Sequence, residues 1–155
     1  MKVLLFNGSP RGEGCTYTAL SEVASVLEKE GIETEIVSVG NKPILGCTGC
    51  GACRRAGKCV FGDNDGVNAF AAKAAEADGI ILGAPVHYAS ISGAASSFLD
   101  RVFYSGSGAF RGKPGAAVVS CRRAGSPASL GQLNKYFTIC VMPVVSSRYW
   151  NMVLG

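Results

Sequence analysis

At 155 residues and 16.0 kDa the chain has room for one hydrophobic core, and half of it would be too small to build a second. Hydrophobic residues make up 48% and charged residues 17%, with a mean hydropathy of +0.25, which excludes a disordered chain and a coiled coil. The formal charge of +4 arrives as isolated basic pairs, Arg54–Arg55 and Arg122–Arg123, without the dense stripe of a nucleic-acid surface, so small anions suit it better.

The run from Lys2 to Asn7 is apolar and stops at Gly8-Ser9-Pro10, which predicts a buried strand ending in a turn. Its apolar part is too short for a signal peptide. Beyond Thr16, residues Leu20, Val23, Val26 and Leu27 recur at helical spacing until Gly31 stops them, and residues 32–39 are rich in β-branched side chains, predicting a helix and then a strand. Residues 41–66 have no sustained period, hold four clustered cysteines, and are long for a connection inside a compact domain; such loops are usually functional. Helices are predicted at 67–77, 92–104 and 126–137, and buried strands at 79–83, 115–120 and 141–145. The uncharged run 79–99 contains Pro85, His87, Tyr88 and four serines, so it is not a membrane span, and a cytoplasmic location is expected.

Uniformly apolar strands alternating with helices predict a single-domain three-layer α/β/α fold around a parallel sheet, covered on both faces. Five strands suit the flavodoxin-like order 2-1-3-4-5. In such a sheet ligands bind outside the carboxyl ends of the strands at the switch between strands one and three, so three segments are the candidates. Residues 8–16 combine glycines, the hydroxyls of Ser9 and Thr16, the guanidinium of Arg11 and a helix N-terminus, which together make a phosphate cradle. The dinucleotide and P-loop fingerprints are missing from it. Residues 83–90 carry Pro85, Val86, His87 and Tyr88, suited to the edge and face of a flat ring. Residues 120–126, with Ser120, Arg122 and Gly125, could close over the same ring.

The seven cysteines are unevenly spread: Cys47, Cys50, Cys53 and Cys59 crowd one loop, while Cys15, Cys121 and Cys140 stand alone. Thiolates at i, i+3 and i+6 on a glycine-rich loop, with a fourth shortly after, can converge on one [4Fe-4S] cube. A loop without metal is the rival reading, and a structural zinc, which prefers two separated Cys-x-x-Cys knuckles, comes third.

Gly8-Ser9-Pro10-Arg11 with Thr16, the run Gly83-Ala84-Pro85-Val86-His87-Tyr88, and Ser92-Gly93 followed by Phe98-Leu99-Asp100-Arg101 resemble the NADPH-dependent FMN reductase family of flavodoxin-like flavoproteins. The resemblance covers essentially the whole chain. It implies FMN, with the phosphate at Ser9, Arg11, Cys15 and Thr16 and the isoalloxazine over the segments of Pro85 to Tyr88 and of Ser120, Arg122 and Gly125. It also implies NAD(P)H as electron donor, a small acceptor, and a homodimer or tetramer in which neighbouring subunits border the flavin. Cys15 departs from the asparagine common in the family, and Ser96 from a lysine. The cysteine spacing Cys47-x-x-Cys50-x-x-Cys53-x5-Cys59 is similar to that of the iron-sulfur flavoproteins, a branch of the same superfamily. No side chain is required as a covalent catalyst, since the flavin carries the redox chemistry. An iron-sulfur flavoprotein fed by ferredoxin and a non-catalytic electron carrier or flavin sensor are the alternatives.

After residue 145 the sequence is too poorly patterned for the helix that would share a face with the first helix. The expectation is therefore a truncated form of a longer protein, or a neighbouring subunit that buries Tyr149, Trp150 and Met152 against the open face.

Overall fold

In the computed structural model, which describes residues 1–155, strands β1 (Lys2–Asn7), β2 (Glu33–Ser38), β3 (Gly79–His87), β5 (Gly115–Cys121) and β6 (Met152–Leu154) run parallel in the order β2-β1-β3-β5-β6. The register pairs Leu4 with Glu35 on one side and with Ile80 on the other. A sixth strand, β4 (Ser90–Ile91), folds back antiparallel on the end of β3. Helices α1 (Cys15–Lys29), α2 (Cys53–Ala56), α3 (Val67–Glu76), α4 (Gly93–Phe110) and α5 (Ser126–Ile139) fill the connections.

Side chains along a strand alternate between faces, so the sheet sorts its apolar residues into two cores. Leu4, Phe6, Ile80, Leu82, Ala117 and Val119 face α3, α4 and α5 in a core of 25 buried residues. Val3, Leu5, Ile81 and Val118 face α1 in a core of only six. Inequality of this size means that one face is well covered and the other only partly. Beside α1 the smaller face opens into a groove of about 1090 Å³ lined by Ala116, Val145, Trp150 and Met152 among others. The Phe6, Phe70 and Phe98 rings, with centroids 5.1 to 5.6 Å apart, pin α3 and α4 against the end of β1. At the opposite end Lys113 Nζ donates to the carbonyls of Ala74, Ala75 and Ala77, closing the C-terminus of α3.

The last strand departs from expectation. Residues 141–145 touch the sheet only through the Gly115–Val144 bridge, flanked by Gly115 N–H donating to Pro143 O and Val145 N–H donating to Gly115 O. Pro143 has no N–H with which to extend the ladder back toward Lys113, and beyond Val145 the chain leaves the sheet and returns at Met152 to pair with Val119. The sheet therefore has six strands, one antiparallel, where five parallel strands were expected. The loop 41–66 holds the one-turn helix α2, and α4 runs on past Tyr104 to Phe110, whose buried ring anchors its end. No helix follows α5; Tyr149 and Trp150 are exposed and Met152 is half-buried. No helix is long and apolar enough to cross a membrane.

On α5 the buried Tyr136 hydroxyl donates to Asp100 Oδ1 at 2.6 Å. Burial first, and the Asp100 carboxylate second, push its phenol far above the ordinary range; burial also raises Cys140. Both groups resist ionisation only when folded, so their contribution is complete at neutral pH and declines as pH rises past about 8.5 for the thiol and about 10 for the phenol. Urea unfolding midpoints should therefore fall above about pH 10, and Tyr136→Phe should flatten that fall while costing about 1 kcal/mol at neutral pH. An unchanged alkaline slope in the variant would contradict this account.

Candidate functional site

The carboxyl ends of β1, β3 and β5 enclose a cavity of about 440 Å³, within the range of small-molecule and cofactor sites. From the first segment Ser9, Arg11, Cys15 and Thr16 line it; from the second, Pro85, Val86 and His87; from the third, Ser120, Cys121 and Arg122. Two candidate residues lie just outside. Tyr88, fully exposed at the tip of the β3–β4 hairpin, borders an adjoining open cavity of about 460 Å³ with Val86 and His87. Gly125 packs on that hairpin instead: its φ is +90°, and a Cβ there would stand 2.7 Å from Ala89 Cα.

The first loop is shaped by two residues that motif reading passed over. Asn7, fully buried at the end of β1, accepts from Ser9 N–H through Oδ1 (3.1 Å) and donates through Nδ2 to Gly12 O (3.3 Å) and Ser38 Oγ (3.1 Å). It thus staples the loop to itself and to the end of β2. An asparagine at a strand end before glycine and serine is a turn former, which was its only signal. Ser92, the N-cap of α4, accepts from Ala95 N–H (3.2 Å) and donates to Gly8 O (2.7 Å), tying the loop to the opposite layer. Gly8 N–H meanwhile donates to Gly83 O at 2.8 Å.

Helix α1 opens from Gly14 with no side-chain cap, so its first N–H groups and positive dipole end face the cavity. Beside it the Thr16 and Ser120 hydroxyls meet at 2.7 Å. One proton joins the pair and the other stays free for a ligand. Arg11 and Arg122 add positive charge against Glu13 alone.

The hairpin tip holds Tyr88 (φ 51°) and Ala89 (φ 58°) in the left-handed region, a conformation that costs non-glycine residues energy. Gln132 of α5 holds it there, its Oε1 accepting from Ser90 Oγ (2.9 Å) and Ile91 N–H (2.8 Å).

The four clustered cysteines lie elsewhere, around a cavity of about 20 Å³ that shares no residue with the first and is closed by Arg101 and Tyr104 of α4. All four are free thiols; Cys47 and Cys50 are exposed, Cys53 and Cys59 half-buried. No three His, Cys, Asp or Glu side chains converge as ligands of one ion. In a cube each thiolate binds a different iron, so its ligands stand at separate corners, and the donor set of four free cysteines around one space fits that demand better than a single zinc. The cavity is smaller than a cube. Gly49, Gly51 and Gly57 hold this loop at positive φ, a backbone conformation that other residues adopt only at a cost.

The sheet order, with a cavity at the ends of β1, β3 and β5 built around an uncapped helix N-terminus, defines a flavodoxin-like protein. Its fold is shared with an NADH:FMN oxidoreductase (TM-score 0.70, 20% identity, covering 98% of this chain and 75% of that one) and with RosB bound to a flavin-phosphate intermediate (TM-score 0.77, 19% identity, 100% and 65%). In sequence, the chain is 38% identical over 151 residues to an iron-sulfur flavoprotein of Methanocaldococcus jannaschii, covering 96% of this chain and 77% of the relative. It is 33% identical over 137 residues to one of Archaeoglobus fulgidus, covering 87% and 61%. The model of the NADPH-dependent FMN reductase family matches residues 1–154, and the chain belongs to that family. It is an FMN-dependent oxidoreductase.

Proposed function

We propose that the cavity at the ends of β1, β3 and β5 holds FMN, that NAD(P)H is the electron donor, and that electrons leave to a small acceptor. The observation that carries this reading is the convergence, on one cavity, of an uncapped α1 terminus, the Thr16–Ser120 hydroxyl pair and Arg11 with the backbone end of β3. When bound, FMN supplies exchange between two-electron and one-electron steps. The chain's own residues do the positioning. Ser9, the Thr16–Ser120 hydroxyl pair and the α1 N–H groups would receive the phosphate, Pro85, Val86 and His87 would border the ring, and Arg122 would close over it. The open space beside Tyr88 leaves room for a nicotinamide or an acceptor to approach.

The test is anaerobic addition of NADPH or NADH to the FMN-loaded protein: bleaching of the flavin absorbance supports the reading, and a stably oxidised flavin with both donors overturns NAD(P)H as the donor. Arg11→Ala should weaken FMN binding by about 1.5 kcal/mol, roughly tenfold, at the low end for a charge-assisted bond because Arg11 is exposed. Equal affinity by fluorescence titration would remove Arg11 from the site.

The cysteine loop supports a second element: Cys47, Cys50, Cys53 and Cys59 hold a [4Fe-4S] cluster, which when bound supplies single-electron transfer and would let an iron-sulfur carrier such as ferredoxin feed the flavin. A homo-oligomer belongs to the same reading, a second copy covering the apolar groove beside α1 with Trp150 and Met152 at the contact. Sedimentation of the FMN-loaded protein should give a dimer or larger, and a soluble monomer at micromolar concentration would reject that contact.

A further inference from the structure

Among the four clustered cysteines Cys59 stands apart, because it alone is fixed at three of its atoms. Its backbone N–H donates to Asn68 Oδ1 at 3.0 Å, and its carbonyl accepts from Asn68 Nδ2 at 2.8 Å, so one side-chain amide grips both polar groups of the residue. Its Sγ accepts from Arg101 Nε at 3.3 Å. Arg101 has no freedom of its own: it is among the most deeply buried side chains of the protein, its Nη1 donates to Leu45 O at 3.1 Å, and its fork pairs with Asp65. Leu45 comes before the first of the four cysteines and Asp65 after the last, so this guanidinium ties the loop on both sides of them while aiming one N–H at a single sulfur. Cys47 and Cys50 lie on the exposed stretch beside Gly49 and Gly51, and no such grip holds them.

We propose that Arg101 and Asn68 are positioning residues that pre-set Cys59 as the anchor ligand of the loop, and that the Arg101 Nε–H sets the electron affinity of the cluster that forms on it. The inference rests on the reading of the four cysteines as cluster ligands. Assembly is then sequential: one sulfur waits in place, and the segment with Cys47, Cys50 and Cys53 closes onto it. An N–H bond to a ligating sulfur favours the more negative, reduced state, so the bond raises the reduction potential, and losing it lowers it. Lysine keeps the charge and loses the fork, which isolates the hydrogen bond from the charge.

The experiment has two arms, each run on the FMN-loaded parent, Asn68→Ala and Arg101→Lys. Without iron, amide hydrogen exchange at Cys59 should be slow in the parent and at least about tenfold faster in Asn68→Ala; equal rates overturn the grip. After anaerobic reconstitution with ferrous iron and sulfide, Asn68→Ala should bind less iron per chain, while the cluster it does form keeps the parent's potential. Arg101→Lys should form a cluster with a lower potential in a redox titration followed by its electron paramagnetic resonance signal. A cluster in Arg101→Lys at the parent's potential overturns the tuning role, since a purely structural part would change occupancy alone. A parent that takes up no iron and sulfide overturns the cluster reading and the tuning with it, and the exchange arm still decides the grip. FMN binding should be unchanged in both variants, because the two cavities share no residue.

Discussion

Gly8→Ala is expected to loosen the first loop and to weaken FMN binding at least tenfold. A Cβ at this position would stand 2.7 Å from Ala95 Cβ, 2.9 Å from the Gly83 carbonyl oxygen and 2.9 Å from Phe6 Cε1. These atoms belong to three different elements, α4, β3 and β1, and one is backbone, so no rotamer change makes room. The loop itself must lift. Lifting it stretches two bonds, Gly8 N–H to Gly83 O and Ser92 Oγ to Gly8 O, which fix the start of the cradle. Overpacking of this kind costs typically about 1–3 kcal/mol, and the strained bonds bring the expected loss of stability to roughly 2–4 kcal/mol. Urea unfolding and FMN fluorescence titration check the two parts separately. Parent-like values in both would mean that the close approach at Gly8 is not tight in solution.

The contrast between what the sequence makes legible and what it hides follows the range of the interactions. The first strand, the first helix and the strand from residue 79 carry local signals, an apolar run or a 3.6-residue period ended by glycine, and they form where those signals stand. The three cavity segments are legible for the same reason: each follows a strand, and the topology alone brings strand ends together. Three elements escape. The β3–β4 turn uses Tyr88 and Ala89 at positive φ, where asparagine and glycine would have announced it; tertiary contacts with Gln132 and Gly125 hold it instead. The edge strand Met152–Leu154 has three residues, too few for a period, while the more apolar run 141–145 is interrupted by Pro143. The grip on Cys59 joins residues nine and 42 positions away in sequence; Asn68 belongs to no motif, and the run that ends in Arg101 says nothing of a contact with Cys59. Polar pairs of this kind are set by packing and leave no period or spacing to read.

Removing the partner of Arg101 should cost about as much stability as crowding Gly8. The Arg101 side chain is 1% exposed and that of Asp65 17%, and Asp65 also accepts from Val67 N–H at 3.4 Å at the start of α3. Asp65→Ala strands a guanidinium that cannot release its proton and cannot reach water, and breaking a buried pair from one side costs about 3–5 kcal/mol. Leu45 O and Cys59 Sγ still accept two of its N–H groups, which places the expected loss near the lower end, about 3 kcal/mol. Asp65→Asn keeps an acceptor for both the fork and Val67 N–H, so it should lose less. The double variant Asp65→Ala/Arg101→Met removes both members and fills the space with an apolar side chain, and it should recover much of what Asp65→Ala loses, because the penalty belongs to the unpaired charge and not to the missing contact. Chemical unfolding of the four proteins at one pH decides the matter. If the double variant is as unstable as the single one, the pair stabilises through packing, and the electrostatic reading of this part of the molecule is wrong.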